Sequence, residues 1–348
     1  MQQSKRRYLF FISQDYSYPV LRPIQSVILE RGDDIKWFLY GSEITEEFLL
    51  PDEIRLETIK SVIDYNPDAV LVPGNVVPSF IPGLKVQVFH GLPSTKAKKN
   101  GQLYHYIIRE MFDLYCTQGS ESTKIFQNLA KKYKNFSVVE TGWSKLDPLF
   151  IKKIASFQQK TIFFASTFSP RFSKAKILFP FMKKMIEKYD FQWYITLHPK
   201  MPKDIVSLYK SLIYDNVTFI NSTEVINTLQ KADIMLCDTS SIIYEFLTQL
   251  KPVITFQTNN EENILINVED ISRLEQTIIE TLDQATIHQK SIQSFIQKVH
   301  PYIDGLSSQR IINAVEEMLR GDNLPKKRKP YNIIRNIKLR KDLNYWKL

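Results

Sequence analysis

Residues 232–256 read ADIMLCDTSSIIYEFLTQLKPVITF, and they decide the fold class. One apolar run ends at Cys237, a polar loop follows it, an amphipathic segment begins near Ser240, and a second apolar run ends at Phe256. Short apolar runs that alternate with longer amphipathic segments are typical of βαβ units. The stretch therefore predicts an α/β protein with a parallel sheet.

The same alternation extends through most of the chain and predicts strands in two series. The first series covers Tyr8–Ser13, Ile35–Tyr40, Ala69–Val72, Val86–Phe89, Leu114–Thr117 and Val138–Thr141. The second series covers Thr161–Ala165, Trp193–Leu197, Val217–Ile220, Ile234–Cys237 and Pro252–Phe256. Helical patterns lie between these strands, for example at Phe179–Tyr189 and Glu224–Lys231.

A chain of 348 residues suits two domains of about 150 residues each. Because the two strand series look alike, we predict two Rossmann-like parallel-sheet domains that face a central cleft. The expected boundaries give domains over residues 1–150 and 151–322, followed by a basic tail over residues 323–348. Residues 268–319 read as helices that could cross back over the first domain.

The composition is that of a folded enzyme, with 43% hydrophobic and 24% charged residues. The two cysteines, Cys116 and Cys237, each lie in an apolar run, which argues against a disulfide framework or a cysteine-rich zinc site. The apolar run Tyr8–Ile12 near the N-terminus is too short for a secretory signal or a spanning helix. We therefore expect a cytoplasmic protein.

The net charge of +9 indicates an anionic partner. Positive charge is dense in residues 325–348, PKKRKPYNIIRNIKLRKDLNYWKL, where apolar residues are interleaved and Asp342 is the only acid. This pattern predicts an anchor on an anionic membrane surface, and the equally weighted alternative is a solvated basic tail or a helix packed back on the protein. We expect no nucleic acid partner, because no nucleic-acid-binding motif accompanies the charge.

Polar residues collect immediately after the predicted strands, where open parallel sheets present their ligand-binding loops. Such residues follow six strands: His90-Gly91, Gln118-Gly119-Ser120, Gly142, Ser166-Thr167, His198-Pro199 and Asp238-Thr239-Ser240-Ser241. A single coincidence would mean little, because turns need Gly, Pro and Ser for backbone reasons. Six of them predict a ligand site at the strand ends.

The DTSS segment predicts an anion site, because a strand ends at Cys237 and a helix begins near Ser240. Free backbone N–H groups and the helix dipole favour a phosphate at such a point, and serine hydroxyls add donors. Ordinary N-capping by Asp238 or Ser240 is the alternative. Glu245, one turn further on, could accept ribose hydroxyls or could lie on the helix surface.

Two histidines also follow strands. His198 precedes Pro199 and Lys200, so its imidazole could stabilise phosphate oxygens, although a lone histidine is more often structural. His90 precedes Gly91, which allows close backbone access, and it suits general-base work on a hydroxyl. The lysines of the next loop, Lys96, Lys98 and Lys99, could attract an anionic acceptor, or they could form a solvated loop.

Several common motifs are missing from the sequence: the Walker GxxxxGK[ST], GxGxxG, HExxH, GxSxG and DxD patterns. Their absence disfavours a P-loop ATPase, a dinucleotide-dependent dehydrogenase, a zinc protease, an α/β-hydrolase and a DxD glycosyltransferase. We therefore expect neither a metal nor an organic cofactor.

The ordered series of motifs resembles the bacterial CDP-glycerol glycerophosphotransferase family, the teichoic acid enzymes. The resemblance runs from about Val86 to Val315. The matching segments are VFHGLPSTKAKK, LYCTQGSES, ETGWSKLDPLF, IFFASTFSPR, ITLHPK, ADIMLCDTSSIIYEFLTQLKPVITF and DGLSSQRI. It implies a GT-B fold, transfer of glycerol phosphate from CDP-glycerol or a related CDP-alditol to a hydroxyl, release of CMP, and peripheral attachment to the inner membrane face.

The resemblance also implies roles for particular residues. It implies that the first domain is the acceptor side and the second binds the CDP-linked donor. His90 resembles the catalytic base, and His198 a residue that holds the diphosphate. The donor-binding residues implied by position or context are Thr167, Arg171, Asp238, Thr239, Ser240, Ser241, Glu245 and Arg310, and those on the acceptor side are Gly91, Lys96 and Lys98. The acceptor would be a growing polymer or a lipid-linked primer.

Two other functions fit the same residues. A GT-B glycosyltransferase that uses a nucleotide sugar would need the same strand-end histidine and Ser-rich helix start. An inactive membrane-binding or scaffolding relative would bind the ligand without turnover. Product analysis separates these alternatives, because a phosphotransferase releases CMP and leaves phosphorus in the product.

Overall fold

The computed structural model describes residues 5–92, 103–151, 159–221, 224–258, 264–284 and 288–346. The chain divides into two compact units. The first unit contains residues 1–147 and 299–348, and the second contains residues 148–298. Each unit is built on a six-stranded sheet whose paired strands are all parallel.

The sheet of the first unit has the order β2-β1-β3-β4-β5-β6. Its strands are β1 (Arg7–Ile12), β2 (Asp34–Leu39), β3 (Ala69–Val72), β4 (Leu84–Gln87), β5 (Leu114–Thr117) and β6 (Ser137–Glu140). Its α-helices are α1 (Ser17–Glu30), α2 (Ile59–Tyr65), α3 (Ser120–Tyr133), α11 (Ser307–Leu319) and α12 (Ile333–Asp342). Helix α1 packs against α11, which brings the returning chain onto the first unit.

The sheet of the second unit has the order β12-β11-β10-β7-β8-β9. Its strands are β7 (Thr161–Ser166), β8 (Gln192–Leu197), β9 (Val217–Phe219), β10 (Ile234–Cys237), β11 (Val253–Phe256) and β12 (Ile266–Val268). Its α-helices are α4 (Pro148–Ile151), α5 (Ala175–Lys188), α6 (Lys203–Lys210), α7 (Val225–Leu229), α8 (Ile242–Leu247), α9 (Leu274–Asp283) and α10 (Gln289–Val299), which reaches the boundary of the unit. Read from β7, this is the 3-2-1-4-5-6 order of nucleotide-binding Rossmann sheets.

The strands form because their residues are apolar, and in several cases β-branched or aromatic, with both faces covered. β7 and β10 are buried over their whole length. In the second unit, Trp193 of β8 and Tyr209 of α6 are completely buried in one core. Full burial of an apolar side chain of this size contributes roughly 1.5–3 kcal/mol, so these sheets give each unit its stability.

The α/β fold with two Rossmann-like parallel sheets is confirmed, and each predicted strand overlaps an observed one. The division of the chain differs from the expected one on its C-terminal side. Residues 299–322 lie with the first unit instead of the second, because α11 packs on α1. Residues 323–346, expected as a separate tail, also pack on the first unit.

Candidate functional site

In the second unit, the polar residues predicted as a donor site lie at neighbouring strand ends. β10, β7 and β8 are adjacent in the sheet, and Asp238, Thr167 and His198 follow their carboxyl ends. The chain connections diverge between β7 and β10, which makes this pair a topological switch point. Ligands of open α/β sheets bind in the crevice beside such a point. The fold therefore brings these three predicted residues to the expected kind of place.

Asp238 joins the loops that follow β10 and β7. Its completely buried carboxylate accepts hydrogen bonds from the Ser166 hydroxyl and from the backbone N–H groups of Thr167, at 2.8 Å, and Lys174, at 3.0 Å. Burial raises the pKa of the Asp238 carboxyl, and these hydrogen bonds oppose that rise. A donor contact through Asp238 would thus be indirect, since its oxygens already hold the Thr167 loop.

The rest of the DTSS segment leads into α8, which has six residues. Ser241 occupies the N-cap position without a side-chain capping bond, and Thr239 is exposed like Ser241. Ser240 is half-buried, and Glu245 is buried instead of lying on the helix surface. The capping alternative for Asp238 is not observed, because its carboxylate faces the Thr167 loop.

The contacts of His198 determine which of its ring nitrogens carries the proton. Its Nδ1 accepts a hydrogen bond from the backbone N–H of Lys200 at 3.0 Å. A neutral imidazole that accepts at Nδ1 must carry its proton on Nε2, so His198 is a donor at that atom. The exposed ring of Phe168 packs against the imidazole with centroids 4.3 Å apart. Arg171 is exposed in the same loop, and its guanidinium lies 5.4 Å from the ring centre of Phe172.

In the first unit, His90 follows a strained residue. Phe89 has a φ of +58°, which is unusual for a bulky side chain, and its backbone oxygen accepts a hydrogen bond from the indole N–H of Trp143 at 3.2 Å. Such strain persists only where the surroundings hold it in place, and it is concentrated at functional sites. Here the buried Phe89 ring and the Trp143 bond fix the direction in which the chain presents His90.

His90 has the opposite tautomer to His198. Its Nδ1 lies 3.1 Å from the backbone oxygen of Pro73 at the end of β3, and this nitrogen must donate because a carbonyl oxygen can only accept. The lone pair of the neutral ring is then on Nε2. The ring of Tyr16, which follows β1, stacks on the imidazole with centroids 4.8 Å apart and an interplanar angle of 29°.

Of the other residues predicted for the acceptor side, the structure describes Gly91. The backbone oxygen of Gly91 accepts a hydrogen bond from the Gln118 side chain at 2.8 Å, which ties the strand ends of β4 and β5 together. Lys96 and Lys98 lie outside the described residues.

The late DGLSSQRI motif packs in the first unit against the GWSKLD motif. Asp147 accepts hydrogen bonds from the backbone N–H groups of Ser307 and Ser308 at 2.9 and 2.7 Å, at the start of α11. Nε2 of buried His300 accepts a hydrogen bond from the backbone N–H of Trp143 at 3.0 Å. Burial lowers the pKa of His300 to about 4, which keeps the imidazole neutral.

Arg310, predicted as a donor-binding residue, belongs to the first unit. Its guanidinium makes a two-pronged ion pair with Asp304 and lies 4.2 Å from the ring centre of Tyr302. The Tyr302 hydroxyl in turn donates to Glu140 at 3.0 Å. These contacts give Arg310 a structural position within the first unit, which the motif order along the sequence does not reveal.

Two aromatic residues beside the histidines were missed by the sequence reasoning. Tyr16 follows β1, and Phe168 follows Thr167 after β7. The strand-end criterion would have found Tyr16 if it had been applied to the first strand. Within the described ranges, no three His, Cys, Asp or Glu side chains are grouped to hold a metal ion.

Solved structures with the same fold include teichoic acid and nucleotide-sugar enzymes. The wall teichoic acid polymerase TagF has a TM-score of 0.67 at 14% identity, covering 92% of this chain and 90% of its own. A putative UDP-N-acetylglucosamine 2-epimerase from Listeria monocytogenes has a TM-score of 0.63 at 13% identity, covering 94% and 100%. At these identities the likeness shows the fold, and the class is a GT-B-like α/β protein.

Sequence comparison gives the family. The profile of the UDP-N-acetylglucosamine 2-epimerase family matches residues 107–316, more than half of the chain, so the chain belongs to that family. The motifs resemble the CDP-glycerol family, but the profile that matches is that of the epimerase family. The teichoic acid glycerol-phosphate primase of Bacillus subtilis (strain 168) is 24% identical over 227 residues, which are 59% of this chain and 58% of the primase.

Proposed function

We propose that this protein transfers glycerol phosphate, or a related alditol phosphate, from a CDP-linked donor to a hydroxyl of a teichoic acid, capsule or other surface glycopolymer. The observation that carries the proposal is a pair of strand-end histidines whose contacts imply opposite imidazole tautomers. His90 has its lone pair on Nε2, and His198 has a proton on Nε2. Phosphoryl transfer uses a base for the attacking hydroxyl and donors for the phosphate oxygens.

Two further observations support a glycerol phosphate donor. The motifs around His90, His198 and the DTSS segment follow the order of the CDP-glycerol glycerophosphotransferases. The aligned Bacillus subtilis relative is a teichoic acid glycerol-phosphate primase. The alignment spans 58% of the primase, and we include its glycerol phosphate transfer in the proposal for this chain.

On the acceptor side, the hydroxyl oxygen attacks the β-phosphorus of the donor while Nε2 of His90 takes the hydroxyl proton. A bond forms between the acceptor oxygen and phosphorus. The bond from phosphorus to the bridging oxygen breaks, and CMP leaves with that electron pair. The hydrogen bond from Nδ1 to Pro73 orients the ring and stabilises the imidazolium that forms.

On the donor side, Nε2–H of His198 and the hydroxyls of Thr167, Ser240 and Ser241 supply hydrogen bonds to the diphosphate, and Arg171 supplies positive charge. Most of the rate enhancement in phosphoryl transfer comes from positioning and from charge stabilisation. The buried Asp238 contributes by fixing the Thr167 backbone.

We further propose that the protein works at the inner face of the cytoplasmic membrane, where it would meet a polymer or lipid-linked acceptor. In the described part of the chain, no helix has the length and apolar character to cross a bilayer. Support for a surface location comes from α12, where Ile333, Ile334 and Ile337 are exposed among basic residues.

A second candidate function is chemistry on a nucleotide sugar, either 2-epimerisation of a UDP-sugar or glycosyl transfer. The observation that favours it is membership of the UDP-N-acetylglucosamine 2-epimerase family. Epimerisation requires a base for a carbon-bound proton. The motif order and the glycerol-phosphate primase relative favour phosphoryl transfer instead. The phosphotransferase therefore ranks first.

Calorimetric titration of the purified full-length chain would test the donor class, with CDP-glycerol, CDP-ribitol, CTP and UDP-N-acetylglucosamine as ligands. Selective binding of a CDP-alditol is the expected result. Preference for the UDP-sugar would replace the phosphotransferase with the second candidate.

Turnover is tested with His90→Gln, which keeps a polar side chain without a base. Release of CMP should fall at least about 100-fold, in the range that a general base contributes, while donor affinity stays within about twofold. Unchanged CMP release would remove His90 from the proposed reaction. Donor binding with no turnover in the unaltered chain would indicate an inactive relative.

A further inference from the structure

Residues 324–346 form an ordered covering on the first unit. The backbone N–H of Lys327 donates to the Lys134 oxygen at 2.8 Å, and the Lys329 ammonium pairs with Asp113 at 2.6 Å. Leu339 of α12 is buried in the core of the first unit. The segment is therefore attached to the first unit at Lys327, Lys329 and Leu339, unlike a solvated basic tail.

This segment and the surface beneath it line an open pocket of about 690 Å³, which we call the tail pocket. Its cationic lining residues are Lys326, Lys327, Arg328, Lys329 and Arg340. The only carboxylate among its lining residues is Asp113, which is already paired with Lys329. The pocket therefore carries excess positive charge and favours an anionic ligand.

Two lining residues show how this pocket is prepared for a ligand. The Arg340 guanidinium lies 4.4 Å from the ring centre of Phe80 and 5.6 Å from that of Tyr345, and these two rings stack on each other. The Oδ1 atom of buried Asn135 has no hydrogen-bond partner among the described residues. A ligand hydroxyl that entered the pocket could supply the missing donor, because an unpaired buried acceptor is unfavourable.

An apolar surface lies next to the tail pocket. Tyr331 lines the pocket and is 88% exposed, and α12 begins two residues later. Ile334 of this helix is 85% exposed, and Ile333 and Ile337 are more than half exposed, while Leu339 faces the core. Exposed aliphatic side chains beside a cationic pocket are typical of helices that lie in a membrane interface.

We propose that the tail pocket binds the phosphate headgroup of an anionic membrane lipid while the isoleucines of α12 enter the outer part of the acyl layer. This inference rests on the proposed membrane location and not on the proposed reaction. A soluble phosphate polymer would also be attracted by the cations, but it would leave Ile333 and Ile334 in water. The adjacency of charge and apolar surface therefore favours the lipid.

The test is co-sedimentation of the full-length chain with vesicles of phosphatidylcholine containing 0 to about 30% phosphatidylglycerol. The pocket variant carries Lys327→Ser and Arg328→Ser, and the helix variant carries Ile333→Ser and Ile334→Ser. A matched control carries Lys203→Ser and Lys210→Ser, which removes the same charge from exposed sites on α6. Each basic residue near an anionic surface strengthens binding about fivefold, so the pocket variant should bind roughly 25-fold more weakly.

Binding of short-chain polyphosphate is measured with the same proteins to separate the two sources of phosphate. The lipid proposal expects the helix variant to lose vesicle binding and to keep its polyphosphate binding. Equal weakening of vesicle binding by the α6 control would overturn it, since net charge alone would then explain the attraction. Full vesicle binding by the helix variant would also overturn it, in favour of a soluble polymer. CDP-glycerol titration of each variant keeps this result separate from the donor proposal.

Discussion

The carboxylate of Asp238 accepts a hydrogen bond from the backbone N–H of Thr167 at 2.8 Å, and so joins the loops that follow two neighbouring strands. Asp238→Ala would leave this N–H and that of Lys174 unpaired beside a buried cavity where the carboxylate had been. We expect a loss of about 2–4 kcal/mol in the free energy of unfolding. Urea denaturation measures it, with the exposed Asp215→Ala as a control expected to stay within about 0.5 kcal/mol. Equal effects of the two changes would contradict a special role for Asp238.

Gly142 should not tolerate a side chain. It has a φ of +82°, and a β-carbon there would collide with the Ser307 hydroxyl. Gly142→Ala should therefore cost about 1–2 kcal/mol from the left-handed backbone and about 1–3 kcal/mol from the collision. Gly321 is the matched control, because its φ is +97° with open space around the added atom, so Gly321→Ala carries only the backbone cost. Thermal unfolding measures the loss of stability in both variants. Equal losses in Gly142→Ala and Gly321→Ala would show that the collision with Ser307 does not occur.

Buried Lys85 should make stability depend on pH. Burial and the nearby Lys329 lower the pKa of its ammonium from 10.5 to about 7. Between these two values the unfolded chain keeps a proton that the folded chain has released, so the contribution of Lys85 to stability rises with pH through this window. The free energy of unfolding can rise by up to about 1.4 kcal/mol per pH unit in this window.

Lys85→Met should remove this rise. Urea denaturation at intervals from pH 7 to 9.5 would show a flatter profile for the variant than for the unaltered protein. Lys60→Met, at an exposed lysine, serves as the control and should keep the original profile. Parallel profiles of the unaltered protein and Lys85→Met would show that Lys85 is not responsible.

Tyr16 should position His90 for catalysis through the contact between their rings. Tyr16→Phe keeps the stacked ring and should transfer phosphate at a rate within about twofold of the original. Tyr16→Ala removes it, and we expect kcat to fall about tenfold with little change in donor affinity, because orientation and not donor binding is lost. Imidazole NMR would show the Nδ1-protonated form of His90 mixing with the other tautomer in Tyr16→Ala. An unchanged tautomer with reduced kcat would assign the loss to another cause.

The sequence was sufficient for the sheets because their strands are marked by apolar runs with polar residues at one end. β10 and the DTSS loop are the best example, since a buried run and an abrupt change of polarity occur within ten residues. β12, Ile266–Val268, was missed because its apolar residues are separated by the polar Asn267. The equally short β9 was predicted because its Val217 and Thr218 are β-branched, whereas Asn267 at the centre of β12 is a residue that strands disfavour.

The site was only partly predictable because its chemistry depends on contacts between distant segments. The placement of His90 and His198 followed from the strand-end pattern, but the tautomer of His90 depends on the Pro73 oxygen of a neighbouring strand end. Arg310 remains a predicted donor residue, and its position depends on the return of the chain to the first unit at Val299. Neither contact leaves a local signal in the sequence.

The second unit is inserted in the sequence of the first, so the two units are synthesised in an unusual order on the ribosome. All of the second unit, residues 148–298, emerges before α11, so it can fold while the chain is still growing. The first unit begins earlier but must wait for residues 299–346 to cover α1 and its core. Its nascent sheet therefore exposes apolar surface for the whole time needed to make the second unit, and that interval is when a chaperone would be of most use to this protein.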